Sequence, residues 1–297
     1  MGAPPVTNAE VSGFLIEKEV GQGATGKVYK ATRRTNGETV AIKILHLSLL
    51  NDVELVKRFK LEAELTSRLS SHHIVTVKEY GLLHDARPFM VMDYIEGCCL
   101  SQIIDQNGAL PARQALPIFT QVALGLAHAH ERGVMHRDIK LNNIMLIPVE
   151  DELQTVKIVD FGIAKQWLKS CADTALTRTG EAIGSPLYMS PEQCLGRGMD
   201  YRTDIYSLGA VMYEVLTGRP IFKGSDAVSV MAQHISDVPE PMALPPSPAT
   251  KALERIVFKA LSKKPEDRYV NAYDMRADLL YVLDNLKANE KKSLWAA

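Results

Sequence analysis

Val134-Met135-His136-Arg137-Asp138-Ile139-Lys140-Leu141-Asn142-Asn143-Ile144 is the run on which the reading of this 297-residue chain turns. Five charged or amide groups crowd between apolar residues. That fits neither a core strand nor an ordinary solvated face. Asp138 is placed to orient a hydroxyl and accept its proton. Downstream, Val156 to Val159 leads into Asp160-Phe161-Gly162. A carboxylate at a strand end, followed by a flexible glycine, suits a hard cation, and Asn143 offers a second oxygen. Separately each could be a turn residue; in this order chance is a poor explanation.

Working outward, Val40-Ala41-Ile42-Lys43 reads as a strand. Period 2 sets Lys43 with Ala41, opposite Ile42 and Ile44. A lysine in so apolar a strand calls for an anionic partner. Glu62 lies beside the apolar face of the following helix (Val56, Phe59, Ala63) and is the candidate, whereas Glu64 points elsewhere and reads as solvated. The plainer alternative makes Lys43 an edge-strand lysine and Glu62 a surface charge. Asn51, with Glu54 three residues on, is the expected cap of that helix.

Gly21-Gln22-Gly23-Ala24-Thr25-Gly26-Lys27-Val28 has three readings. A Walker A loop fails at Val28, where a hydroxyl is needed. A dinucleotide fingerprint fails because Lys27 to Thr32 reads as a strand, not a helix. A hairpin flap fits best, its glycines letting backbone N–H groups approach phosphate oxygens. An ordinary glycine-rich turn is the bland alternative.

The first 95 residues read as five strands (Phe14–Val20, Val28–Thr32, Val40–Leu45, Ile74–Tyr80, Phe89–Ile95) with one helix. From about residue 98 the chain turns helical. Pro111 opens a helix to Glu131, with a kink expected at Pro117. Asp204–Thr217 is apolar on nearly every face and reads as a buried helix. Five prolines between 239 and 248 make a loop, and helices follow near 250–262 and 271–288. Lys plus Arg total 34 and Asp plus Glu 35, a net charge of -1 that argues against a nucleic-acid binder. Cys98, Cys99, Cys171 and Cys194 form no C-x-x-C pair and suggest a reducing compartment. The N-terminus has no basic stretch followed by an apolar one, Val6 does not suit myristoylation, and no run of 18 apolar residues occurs.

Together these motifs resemble the protein kinase family, specifically bacterial eukaryotic-like (Hanks-type) serine/threonine kinases. The likeness runs over about residues 10 to 280 and adds Ser190-Pro191-Glu192 to the set. It implies an α+β, two-lobed fold: an antiparallel sheet with one helix (about 12–92), a hinge (93–97) and a mainly helical lobe (98–285). Residues 1–11 would be a flexible N-terminus and 286–297 a tail. The implied activity is transfer of the ATP γ-phosphoryl group to Ser/Thr of proteins, with Mg2+ (Mn2+ as a substitute).

Residue by residue, the resemblance puts Gly21 to Val28 over the ATP phosphates. Lys43 would hold the α- and β-phosphates and Glu62 would pair with it. Asp138 would be the base, and Lys140 would neutralise charge on the transferring group. Asn143 and Asp160 would be metal ligands. Met92 would stand behind adenine, with Asp93 and Ile95 supplying hinge backbone. Val28, Ala41 and Met145 would flank the ring. Asp204 would brace the catalytic loop, and Glu192 and Arg268 would pair to anchor the activation segment. Lys140 with Gly184-Ser185 is the family's Ser/Thr pattern.

Arg137 and Lys140 near one carboxylate favour an added phosphate, with Thr177 or Thr179 (among Ser170, Thr174, Thr177 and Thr179) the expected autophosphorylation sites in trans. Cys99 reads either as a half-buried small apolar residue or as an accessible thiol near the ribose edge. Thr25, Leu141, Ser190 and Pro117 depart from the usual pattern without removing a catalytic group. A pseudokinase scaffold and a small-molecule kinase are the competing functions. The intact Lys43, Asp138, Asn143 and Asp160 speak against the first, and Ser-Pro-Glu against the second. Location is expected to be cytoplasmic, or the cytoplasmic part of a membrane-anchored kinase if Lys291-Lys292 flanks an absent membrane helix; a frayed helix end is the alternative.

Overall fold

The computed structural model describes residue 11, residues 13–148, 155–161 and 186–295, with side chains to residue 288. The chain divides into two compact units, residues 1–96 with 161–184, and residues 97–160 with 185–297.

In the first unit, β1 (Phe14–Gln22), β2 (Gly26–Arg33), β3 (Thr39–Leu45), β4 (Val77–Leu82) and β5 (Pro88–Asp93) form one antiparallel sheet in the order β1-β2-β3-β5-β4. One face is closed by Phe14, Tyr29, Ala31, Val40, Ile42, Ile44 and Val91, joined by Val11 and Leu83. Full burial of each large side chain contributes about 1.5–3 kcal/mol. Strand alternation turns Lys43 away from Ile42 and Ile44, as the period-2 reading expects. Helix α1 (Val53–Ser67) buries Leu55, Phe59, Glu62, Ala63 and Thr66, a stripe at helical spacing that includes one carboxylate. Its cap is Asp52 and not Asn51: the Asp52 carboxylate accepts the Leu55 N–H at 3.0 Å, one residue beyond the expected position.

All five strands differ from the sequence reading at one end or both, most at β4 and β5. Residues 74–76 precede β4, and Ile95 lies past the end of β5. Ile74 and Val75 are buried without belonging to the sheet, so apolarity alone overextended the strand.

The second unit opens with a small antiparallel sheet of β6 (Cys98–Cys99), β7 (Ile144–Ile147) and β8 (Thr155–Ile158). Its helices among the described residues are α2 (Leu100–Asn107), α3 (Ala112–Glu131), α4 (Pro191–Cys194), α5 (Arg202–Thr217), α6 (Ala227–Ser236), α7 (Pro248–Ala260) and α8 (Ala272–Trp295). α3 is helical without interruption through Pro117, so the expected irregularity does not break it. The Pro117 carbonyl instead accepts from Thr120 Oγ1 at 2.9 Å and Gln121 Nε2 at 3.2 Å. α5 is buried along nearly its whole length. A Cβ on its Gly209 would lie 2.9 Å from Ala260 Cβ, so glycine permits the approach of α7. Among the described residues no helix is long and apolar enough to cross a membrane.

Candidate active site

The candidate residues fall into two sets, one in each unit. In the first, β1 and β2 meet at the glycine loop, a strand-turn-strand flap in which Gly23 N–H donates to the Gly26 carbonyl at 2.8 Å. The glycines are not equivalent. A Cβ at Gly26 would stand 2.2 Å from the Ile44 carbonyl oxygen, whereas at Gly23 the nearest atom would be 3.9 Å away. Gly26 is needed for β2 to lie against β3; Gly23 has room for a Cβ. The loop is tied to the end of β3 as well: His46 N–H donates to Thr25 O at 3.0 Å, and His46 Nε2 lies 2.9 Å from Gly23 O. Thr25 is buried, Lys27 is half-buried, and Gln22 and Ala24 are exposed.

Lys43 and Glu62 do meet. Their Nζ–Oε1 distance is 3.1 Å with both side chains under a tenth exposed, and the ammonium lies 5.9 Å from the Phe59 ring centroid. Glu64 is half-buried and paired to Arg68 on the helix surface, off the buried stripe, as its position in the helical period requires. Cross-strand register sets Val28 opposite Lys43, and Ala41 opposite Met92. Asp93, at the end of β5, pairs with Lys78 at 2.8 Å. The Lys78 ammonium is held above its ordinary range by the hydrogen bond to Asp93 and a second to Glu38.

In the second unit the loop 134–143 is shaped by one buried carboxylate. Asp204, in the first turn of α5 and fully buried, accepts the N–H groups of His136 at 2.8 Å and Arg137 at 2.7 Å, with His130 Nε2 at 2.8 Å. Burial alone would raise its pKa; the His130 hydrogen bond, the imidazoles and the Arg137 N–H hold it below the usual range instead. Arg137 has φ 66°, a left-handed conformation costly for a side chain of its size. The buried His136 ring accepts the Asp138 N–H at Nδ1, 3.2 Å, so Nε2 carries the proton toward Val159 O at 3.0 Å.

Asp138 Oδ2 lies 3.3 Å from Lys140 Nζ and 3.0 Å from Asn143 Nδ2, and Asn143 Nδ2 also donates to the Asp138 carbonyl at 2.8 Å. With its nitrogen committed there, Asn143 has its amide oxygen to offer. Val159 N–H donates to Asn143 O at 3.0 Å, which brings the residue preceding Asp160 beside Asn143. Asp160 itself has φ 56°. Oxygen ligands on two elements tied together in this way suit a hard cation. Cys99 and Met145 are paired across β6 and β7. Cys99 is half-buried, caps α2, and its Sγ lies 3.1 Å from Ser101 Oγ.

Glu192 and Arg268 form a bidentate pair, 2.7 and 2.8 Å. Burial would raise the Glu192 carboxyl, but the hydrogen bonds and charge of Arg268 hold it below its ordinary value. The departure Ser190 has a local role: its Oγ accepts the Gln193 N–H at 3.3 Å and caps α4, which alanine would not do. Two participants escaped the sequence reading, His130 and Gln193, and His136 stood in the quoted run without an assigned role. Gly162, Ser170, Cys171, Thr174, Thr177, Thr179, Gly184 and Ser185 lie outside the described residues.

Comparison with known proteins places this arrangement. A family profile described as "Protein kinase domain" matches residues 14–277. The chain is 37% identical over 268 residues to serine/threonine-protein kinase pkn3 of Myxococcus xanthus, covering 90% of this chain and 49% of that protein. It is 38% identical over 280 residues to serine/threonine-protein kinase PrkC of Bacillus subtilis, covering 94% of this chain and 42% of that one. It thus spans less than half of either relative. The solved PknI kinase domain of Mycobacterium tuberculosis is similar with a TM-score of 0.70 at 26% identity, covering 94% of this chain and 99% of that chain.

Proposed function

Since the chain belongs to the protein kinase family, we propose that it transfers the γ-phosphoryl group of ATP to Ser or Thr hydroxyls of protein substrates. The observation that carries this reading is the Asp138 carboxylate, held by Asn143 and Lys140 in a loop clamped by Asp204. Asp138 orients the acceptor hydroxyl and takes its proton while the hydroxyl oxygen bonds to phosphorus and the bond from phosphorus to the ADP oxygen breaks. Lys140 offsets negative charge on the transferring group. Preorganised charge and alignment supply most of the rate in such a reaction.

In the first unit, Lys43, fixed by Glu62, holds the α- and β-phosphates. Gly21, Gln22, Gly23, Ala24, Thr25, Gly26, Lys27 and Val28 cover them with backbone N–H groups. Val28 and Ala41 contact adenine, Met92 stands behind it, and Asp93 and Ile95 offer backbone. In the second unit, Met145 and Cys99 are the nucleotide-contacting residues. Asn143 and Asp160 would hold Mg2+, with Mn2+ as a substitute, and their oxygen donors suit either ion. When bound, the ion supplies positive charge to phosphate oxygens. Asp204 and the Glu192–Arg268 pair are structural. Lobes are assigned to residues 12–92 and 98–285 around a hinge at 93–97. Phosphate on Thr177 or Thr179, added in trans by a second copy, orders the activation segment. The free Cys98, Cys99 and Cys194 suit a reducing cytoplasmic setting.

The test is transfer of radiolabelled γ-phosphate to casein by the purified chain with magnesium, followed by phosphosite mapping. Transfer by the wild type, reduced about 10²–10⁴-fold in Asp138→Asn at unchanged melting temperature, is expected. No transfer by the wild type would sink the activity. Label confined to tyrosine would sink the acceptor class.

A further inference from the structure

The side chain of Gln193 joins two segments that the reading above treats separately. Within its own helix it closes a capping box. Gln193 N–H donates to Ser190 Oγ at 3.3 Å, and Gln193 Oε1 accepts the Ser190 N–H at 3.1 Å. The other half of the amide leaves the helix. Nε2 donates to the Arg137 carbonyl at 2.9 Å, across 56 positions of sequence. The two partners fix the amide's orientation, because the Ser190 N–H requires an oxygen and the Arg137 carbonyl requires a donor.

The carbonyl it holds belongs to the peptide plane immediately before Asp138. Arg137 carries a left-handed φ of 66°. A non-glycine residue there is strained and persists only when its surroundings over-determine it. Asp204 secures the N-terminal side by accepting the N–H groups of His136 and Arg137. The following plane, Arg137 to Asp138, is gripped on both edges: Gln193 on its oxygen, and His136 Nδ1 on its N–H at 3.2 Å. Rotation of that plane would swing the Asp138 Cα and turn its carboxylate away from Asn143 and Lys140.

We propose that Gln193 is a positioning residue: its amide sets the Arg137–Asp138 peptide plane and so aims the Asp138 carboxylate, linking the Ser190-Pro191-Glu192 segment to the proton-accepting group. This rests on the phosphotransfer reading for its kinetic consequence, while the structural part stands apart from it.

The test uses Gln193→Glu, which keeps chain length and the oxygen that accepts the Ser190 N–H. It loses the donor and sets a carboxylate oxygen against the Arg137 carbonyl. Ser190→Ala is the comparison, since it weakens the cap of α4 and leaves the Gln193 amide in place. Two readouts are taken on the whole chain: steady-state kinetics with ATP and casein, and hydrogen exchange of the peptide spanning 134–143. Gln193→Glu is expected to lower kcat about 10-fold or more, toward the 10²-fold that small misplacements can cost, with KM for ATP within about twofold. It is also expected to speed exchange in 134–143 while leaving the melting temperature near that of Ser190→Ala. Ser190→Ala is expected to keep kcat and wild-type exchange in that peptide. Unchanged kcat and exchange in folded Gln193→Glu would overturn the proposal. So would equal losses in both variants that track their melting temperatures, since that pattern belongs to a helix cap alone. If the wild type transfers no phosphate, the phosphotransfer reading fails, and the exchange comparison still decides whether Gln193 holds the loop.

Discussion

Arg268 and Glu192, 76 positions apart, meet through two parallel hydrogen bonds of 2.7 and 2.8 Å. The guanidinium spends its remaining donors on the carbonyls of Ser262, Arg202 and Lys263. Only a planar fork does this, so lysine is no substitute.

Arg268→Met strips one member from this buried pair and should cost about 3–5 kcal/mol. Urea denaturation checks it. A loss under about 1 kcal/mol would place the pair with ordinary surface ion pairs. Because the Glu192 carboxyl sits below its ordinary 4.5 when folded, its contribution is complete above that pH and is lost as pH falls through the folded value.

His234 gives a second, separable acid sensitivity. Tyr206 Oη lies 2.9 Å from its Nδ1, and its Nε2 lies 3.1 Å from Leu187 O, a neutral ring donating at Nε2. Burial and the Lys263 charge push its pKa from 6.5 down to about 4. Above pH 6.5 folded and unfolded chains bind the same protons there. Below it the unfolded chain protonates first, so stability drains by up to about 3 kcal/mol between pH 6.5 and 4. Melting temperatures across that window should flatten in His234→Gln.

The two glycine substitutions should diverge. Gly26→Ala drives a Cβ to within 2.2 Å of the Ile44 carbonyl, so β2 must separate from β3. A loss of about 1–3 kcal/mol is expected. Gly23→Ala meets no atom closer than 3.9 Å, so its melting temperature should hold while KM for ATP rises. Equal melting temperatures in the two variants would contradict this division.

For Lys43 and Glu62, stability and activity should come apart. Lys43→Met breaks a buried pair and should cost about 3–5 kcal/mol. Lys43→Met with Glu62→Leu should recover much of that loss. Phosphate transfer should be absent from both, since the cation goes in each. Restored transfer in the double variant would assign Lys43 a structural role only.

Most of this arrangement was legible because it is written in local chemistry. Strand alternation exposed Lys43 as misplaced among apolar residues, and helical spacing set Glu62 on the buried stripe and Glu64 off it. What escaped was long-range or geometric. The strand β6 has only two residues, Cys98 and Cys99, too short to carry a pattern. Asp52, not Asn51, caps α1, since neighbouring Asn and Asp are nearly equal caps and backbone geometry decides between them. Gln193 gave no sign at all. An amide on a short helix looks like surface until a carbonyl 56 positions earlier is found against it. Gly26 was read as serving phosphate, yet its smallness is required by Ile44.

Three of the contacts that hold loop 134–143 reach far forward in sequence, to Asp204 twice and to Gln193. Glu192 is in turn held from residue 268. During synthesis the charged run emerges from the ribosome well before anything that can bend it. A nascent chain ending before α5 therefore lacks the Asp204 carboxylate that accepts the His136 and Arg137 N–H groups. Contacts so distant along the chain form slowly and late. Competence is thus a property of the finished helical unit, and truncated or stalled products should carry the motif yet be inert.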